Sequence, residues 1–298
     1  MKKFLLIICA AIFISGCGSE NFERSEILMG TVVTLKAEGK NSQAAVDESF
    51  NRIFELEKNI LSDVKKIEDA AEIDYVEISP DVYKILQTAQ KFSALTNGAF
   101  DVTIGAAIEL WNIGTENPRL PSAEELARVK NFVGFEHLHL RGGKAYLDKR
   151  GVKINLGGIA KGYGVDVVRK IFADKKIHSG LIDFGTSTIY AFGKKNIGIK
   201  NPRGEGISAI VELENSALST SGDYEKFFVV EGRRYHHVIN PETCAPAEAE
   251  NFSMSVVVDG NLENCATIAD ILSTTAFIVG RERMEKILTK NKIPAKII

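Results

Sequence analysis

The chain has 298 residues, 45% hydrophobic and 26% charged, which is ordinary globular composition and excludes a disordered or low-complexity protein. Its formal net charge is −2 with no long run of either sign, so nothing favours a nucleic-acid partner, which calls for a basic face. The length suffices for one large domain or two smaller ones.

The chain opens MKKFLLIICAAIFISGC: two lysines, an apolar stretch too short for a comfortable membrane span, then small residues. Ile14-Ser15-Gly16-Cys17 is similar to a bacterial lipobox, which makes Cys17 the lipidated first residue of the mature protein and removes Cys9 with the leader. An ordinary signal peptide or a short membrane anchor is the alternative. On the lipobox reading residues 1–17 are signal and lipidation site, 18–28 a tether and 29–298 the folded domain, tethered on the outer face of a membrane. Cys244 and Cys265 then remain, and in an oxidising compartment they either pair or stay as free buried thiols.

MGTVVTLKAEG, from Met29, alternates like an edge or half-buried strand. SQAAVDESFNRIFELEKNILS follows with Val46, Phe50, Ile53 and Ile60 on one helical face. Ser79-Pro80-Asp81 announces a second helix, with Val82, Ile85, Leu86, Ala89 and Phe92 as its apolar stripe. Ser122 and Glu125 have capping-box spacing for a short third helix. Short strands with glycine turns are expected across 137–157, a helix from Ile159, further strands, and a last helix pair from about Thr267 to Lys290. Groups of strands separated by long helices indicate an α+β fold rather than a doubly wound sheet.

Residues 154–166, INLGGIAKGYGVD, sit at the expected strand-to-helix junction. They look like a phosphate-binding loop, since glycines let backbone N–H groups approach an anion. Yet Tyr163 and Gly164 stand where a Walker A motif needs Lys and Ser/Thr, and no G-x-G-x-x-G spacing occurs. Asp270 and Thr274 are four apart in IADILSTTAF, so on a helix they share a face. A carboxylate and a hydroxyl there suit a hard cation; a helix cap and a buried polar residue are the alternative.

FDVTIGAAIELWNIG, KINLGGIAKGYGVD, NIGIKNPRG, ALSTSGDYEKFF, HHVINPETCAP and IADILSTTAFIVG come in the order and at about the spacing of the ApbE-type FAD:protein FMN transferases. The resemblance runs from about Met29 to Gly280. It implies an α+β flavin transferase fold with mixed or antiparallel sheets, long helices and an FAD cleft. It further implies Mg²⁺-dependent transfer of FMN from FAD, as substrate, to a Thr or Ser hydroxyl of an exported or membrane redox protein, with release of AMP. Some relatives hydrolyse FAD instead. A non-catalytic flavin-binding lipoprotein and a generic solute-binding lipoprotein are the remaining readings.

By that resemblance Asp270, Thr274 and the backbone carbonyl of Ala160 hold Mg²⁺, and His237 takes the acceptor's proton. His236 is the neighbour with which His237 is easily confused, and on a strand the two face opposite sides. Lys161 is either a phosphate counter-charge or a solvated lysine. Met29, Gly30, Thr31, Asp101, Gly158, Ser219, Thr220, Ser221 and Gly222 are expected near FAD, and Asp166 is expected to fix the glycine loop. His137 and His139 read as a surface face. The chain departs from the family pattern at Asn155, Thr186, Asn240 and Cys244; if Cys244 needs φ > 0, that turn is strained by about 1–3 kcal/mol.

Overall fold

In the computed structural model the described residues are 21–185, 187–249 and 251–298. The leader with Cys9, the lipidation candidate Cys17, and Thr186 lie outside them. Two strands open the fold, β1 (Asn21–Leu28) and β2 (Thr31–Glu38), followed by the long helix α1 (Ser42–Asp69). Next come β3 (Val76–Glu77), α2 (Pro80–Thr96), α3 (Gly105–Trp111), α4 (Ala123–Val129), β4 (Leu138–Arg141) and β5 (Lys144–Leu147). The second half runs α5 (Ala160–Asp174), β6 (Ser179–Phe184), β7 (Thr188–Lys200), β8 (Ile207–Gly222), β9 (Phe227–Val230), β10 (Arg233–His236), β11 (Ile239–Asn240) and β12 (Ala245–Pro246). It ends with β13 (Ser253–Asp259), α6 (Cys265–Val279), α7 (Arg281–Asn291) and β14 (Ala295–Ile297).

The main sheet has seven strands in the order β1-β2-β6-β7-β8-β13-β14, every neighbouring pair antiparallel. Alternation decides which face is covered: Val33, Leu35 and Ala37 of β2 and Ile182 and Phe184 of β6 point into the large core with α1, α5 and α6. Leu218, Ile197 and Leu213 form a smaller cluster on the opposite face. A third cluster gathers Ile104, Ala107, Trp111, Ile239 and Cys244 beside the β9–β10 hairpin.

Local signals hold where they were strongest. Ser79 accepts a bond from the Val82 N–H at the start of α2, and Ser122 and Glu125 close a reciprocal capping box on α4. The expected tether is shorter than read: residues 21–28 form β1, in register with β2 from Asn21↔Glu38 to Leu28↔Thr31. Its sequence, NFERSEIL, is too polar to announce a strand, but an edge strand buries only one face. β2, in turn, is an inner strand, between β1 and β6. The tip joining β1 to β2 is Met29-Gly30, both with φ > 0 (52° and 71°), as a two-residue hairpin requires. Among the described residues no helix is long and apolar enough to cross a membrane.

Candidate functional site

The glycine-rich loop leads into α5, and α5 packs along α6. Gly162 makes that contact possible: a Cβ there would collide with the Ala266 carbonyl oxygen and lie 2.8 Å from the Cβ of Asp270. Its N–H is one of the first-turn groups that the helix itself leaves unpaired, and it donates to Asp270 Oδ2 at 2.9 Å. Gly158 supplies a second close approach, since a Cβ would sit 3.1 Å from Thr274 Oγ1 and 3.2 Å from the Phe100 ring. The loop's glycines thus serve first to let α6 and its Asp270–Thr274 pair lie against it.

Asp270 is buried, at 2% exposure, in the middle of α6. Besides the Gly162 N–H, the Ser219 hydroxyl approaches it at 3.4 Å and the Thr188 hydroxyl also stabilises its charge. Burial pushes its carboxyl up, opposed by the Lys161 ammonium and the Gly162 N–H. Neutral oxygens surround it: Ser219 lies 3.0 Å from Thr188 Oγ1 and 3.2 Å from Ser273 Oγ, and Ser221 lies 3.0 Å from Ser273 and 3.2 Å from Thr274. One weakly satisfied buried carboxylate among hydroxyls is a donor set for a hard, oxygen-seeking cation. Among the described residues no three His, Cys, Asp or Glu side chains gather as a metal cluster. The residues therefore fit Mg²⁺ as one carboxylate, a hydroxyl and backbone oxygen. Ala160 begins α5, so its carbonyl belongs to a helical turn rather than an open loop; a helical bond uses one of its two lone pairs.

The paired histidines separate as strand geometry requires. His236, buried, donates from Nε2 to the Ala247 carbonyl at 3.0 Å and accepts the Val238 N–H at Nδ1, so both ring nitrogens are used. His237 lies just past β10. Its Nδ1 faces the Lys226 carbonyl at 3.3 Å; a carbonyl only accepts, so Nδ1 carries the proton and Nε2 keeps its lone pair. Burial lowers His237 to about 4, helped by His236, Lys226 and Lys161 and resisted by the Lys226 carbonyl. Lys161 thus acts electrostatically on both His237 and Asp270, while its Nζ donates to the Gly157 carbonyl at 3.1 Å.

Other candidates divide. Met29 is held by its N–H to Glu57 Oε1 at 2.8 Å, and its sulfur would lie 3.2 Å from a Cβ on Gly164, one turn along α5 from Ala160. Gly30 is exposed at the hairpin tip, and Thr31 packs on Gly185. Ser219 and Ser221 face α6; Thr220, between them, points the other way and pairs with Ser255 at 2.8 Å, so its hydroxyl is not with Asp270. Gly222 closes on Tyr224 and the Phe252 carbonyl. Asp101 turns inward, accepting from the Thr103 N–H and hydroxyl, and burial raises it to about 6. His137 and His139 both bind Asp148 through exposed contacts, as a surface face would.

One expectation changes, at Asp166, while the cysteines follow the free-thiol reading and Asn155 takes a turn role. Asp166 fixes not the loop but the start of α6, accepting from the Thr267 N–H and Oγ1 at 2.7 Å each and the Ala266 N–H at 3.2 Å. Cys244 and Cys265 are both free, buried in different clusters. Asn155 holds its turn without a charge, because its Oδ1 accepts the Gly157 N–H at 2.9 Å. Asn240 likewise accepts the Glu242 N–H, and Cys244 does take φ 54°. Sequence reasoning missed Ser273, Thr188 and the packing role of Gly162; the alternation 219, 221 against 270, 273, 274 was the available signal.

A cavity of about 630 Å³ opens beyond this cluster, lined by Trp111, Asp223, Arg234, Tyr235, His236 and Phe277 among others. Ile278, also in its wall, lies one helical turn past Thr274.

The ApbE family's sequence model matches residues 29–297. The FAD:protein FMN transferase of Treponema pallidum is 28% identical over 93% of this chain and 85% of its own length. That of Haemophilus influenzae is 29% identical over 100% and 93%. Among solved structures, the ApbE protein of Thermotoga maritima superposes with a TM-score of 0.83 at 31% identity, covering 93% of both chains. The flavin transferase ApbE of Vibrio cholerae gives 0.81 at 26%, covering 94% of both.

Proposed function

Because the chain belongs to the ApbE family, we propose that it moves the FMN half of FAD onto a Thr or Ser hydroxyl of a partner protein and releases AMP. The observation that carries this reading is the buried, under-satisfied Asp270 among hydroxyls, held against the Gly157–Gly162 loop. In the transfer, the acceptor oxygen attacks the phosphorus of the FMN phosphate while His237 Nε2 takes its proton. The P–O bond to the AMP phosphate breaks, and AMP leaves with the bonding pair. Lys161 offsets charge on the pyrophosphate. Asp270, Thr274 and the Ala160 carbonyl would hold Mg²⁺, which would supply Lewis-acid stabilisation of that charge. His237 is neutral at pH 7 because of its lowered pKa, so it is already in the basic form.

In the same reading Cys17 carries a lipid, which keeps the enzyme on the outer face of a bacterial membrane beside exported or membrane redox proteins. The lipobox-like ISGC supports this. The test uses protein lacking residues 1–17 with FAD, Mg²⁺ and a flavin-acceptor domain, recording acceptor mass and AMP, with Asp270→Ala alongside. A gain of one FMN, lost in the variant, is expected. AMP and free FMN over an unmodified acceptor would make the protein an FAD diphosphatase; FAD retained with no AMP would make it a binder.

A further inference from the structure

On one face of α5, Gly162, Asp166 and Arg169 recur at i, i+4 and i+7, and all three meet α6 or the loop that leads into it. Gly162 touches Asp270 itself. Asp166, one turn on, takes the first N–H groups of α6 and the Thr267 hydroxyl; Cys265 Sγ lies 3.8 Å away. Arg169 sits 3.5 Å from Asp166, donates to the Gly260 carbonyl at 2.7 Å and lies over the Tyr190 ring. Asn264, ahead of α6, makes no side-chain cap of its own. The capping of α6 therefore comes from another helix. Thr267 is three residues before Asp270, so the group Asp166 holds lies on the Asp270 side of α6.

We propose that Asp166 is a positioning residue for the metal site: it sets the depth and rotation of α6, and hence where the Asp270 carboxylate and Thr274 hydroxyl stand relative to the glycine loop. Arg169 braces it through the preceding loop. This rests on the reading of Asp270 and Thr274 as Mg²⁺ ligands. Partners that orient ligands are worth roughly 10- to 100-fold in metal affinity, and Asp166 acts at that level without touching the ion.

The experiment titrates Mn²⁺, as a stand-in for Mg²⁺, into the protein lacking residues 1–17 and reads free Mn²⁺ by electron paramagnetic resonance. Thermal melts run in parallel, and activity is not needed. Wild type binds one Mn²⁺ and Asp270→Ala does not. Asp166→Asn, which keeps the shape but loses the charge, weakens Mn²⁺ about tenfold. Thr267→Val removes one donor to Asp166 at nearly constant volume and weakens Mn²⁺ less, in the same direction, even if the Asn variant folds poorly. Melting temperatures lowered with Mn²⁺ affinity unchanged in both variants would falsify the proposal and leave Asp166 a purely structural cap. Wild type that binds no Mn²⁺ overturns the metal reading, and with it this one.

Discussion

At one end of the α5–α6 interface, Asp166 accepts from two backbone N–H groups and a hydroxyl and has Arg169 beside it. Farther along α6, Asp270 accepts one short bond, from the Gly162 N–H, and otherwise meets only neutral hydroxyls, with Ser219 at 3.4 Å and Thr188 beside it. Both carboxylates are buried, and burial pushes both upward. The first is held as a fully answered structural group. The second keeps unspent acceptor capacity, and a buried carboxylate left short of donors marks a place where something else is meant to bind. The neighbouring histidines repeat the contrast: His236 has both nitrogens bonded, His237 only one.

The sharpest way to break this comparison is to neutralise each carboxylate. Asp270→Asn is expected to lower transferase turnover by about a thousandfold. Its melting temperature stays equal or rises, because a poorly paired buried charge is removed. Asp166→Ala is expected to lose about 3 kcal/mol of stability, read by urea unfolding, since α6 loses its cap. Equal stability losses in the two would end the distinction.

The histidine pair gives the next effect. His237→Ala should cost about 10²- to 10⁴-fold in turnover with the fold intact. His236→Ala should instead lose about 1–3 kcal/mol through the unpaired Ala247 carbonyl and Val238 N–H. The pH profile sharpens this. A group at about 4 remains almost wholly neutral at pH 5.5, so kcat/KM should hold from pH 7 to 5.5 and fall only as pH drops towards 4. An ordinary histidine near 6.5 would already have lost about 90% of its basic form at pH 5.5.

Gly162→Ala follows, with about 1–3 kcal/mol lost to overpacking as α5 and α6 are forced apart. The smallest effect is on the cysteines: with Cys244 and Cys265 free, adding reductant should leave the melting temperature unchanged.

Much of this was legible in the chain because the signals are local. Ser79-Pro80 and the Ser122–Glu125 box state where helices begin, and the 2- and 3.6-residue periods state which faces are buried. Asp270 and Thr274 were visible as one helical face. The role of Asp166 was not, because its partners lie about a hundred residues away, on a helix whose own cap position is Asn264. Strand β1 was missed because its pattern is polar, and its partner β2 supplies the alternation instead. Thr220 was drawn in by proximity, although the pleat turns every second residue of a strand away.

Trp111 is the chain's single tryptophan. It stacks on Tyr235, which stacks on Phe228, and its indole N–H donates to the Cys244 carbonyl. The protein therefore carries one built-in emitter, embedded against the very hairpin that delivers His237. Tryptophan emission overlaps flavin absorption, so the decay of that single fluorophore would report FAD arriving near this hairpin without a label. Its spectral shift on heating would report the loosening of the same corner separately from the main sheet.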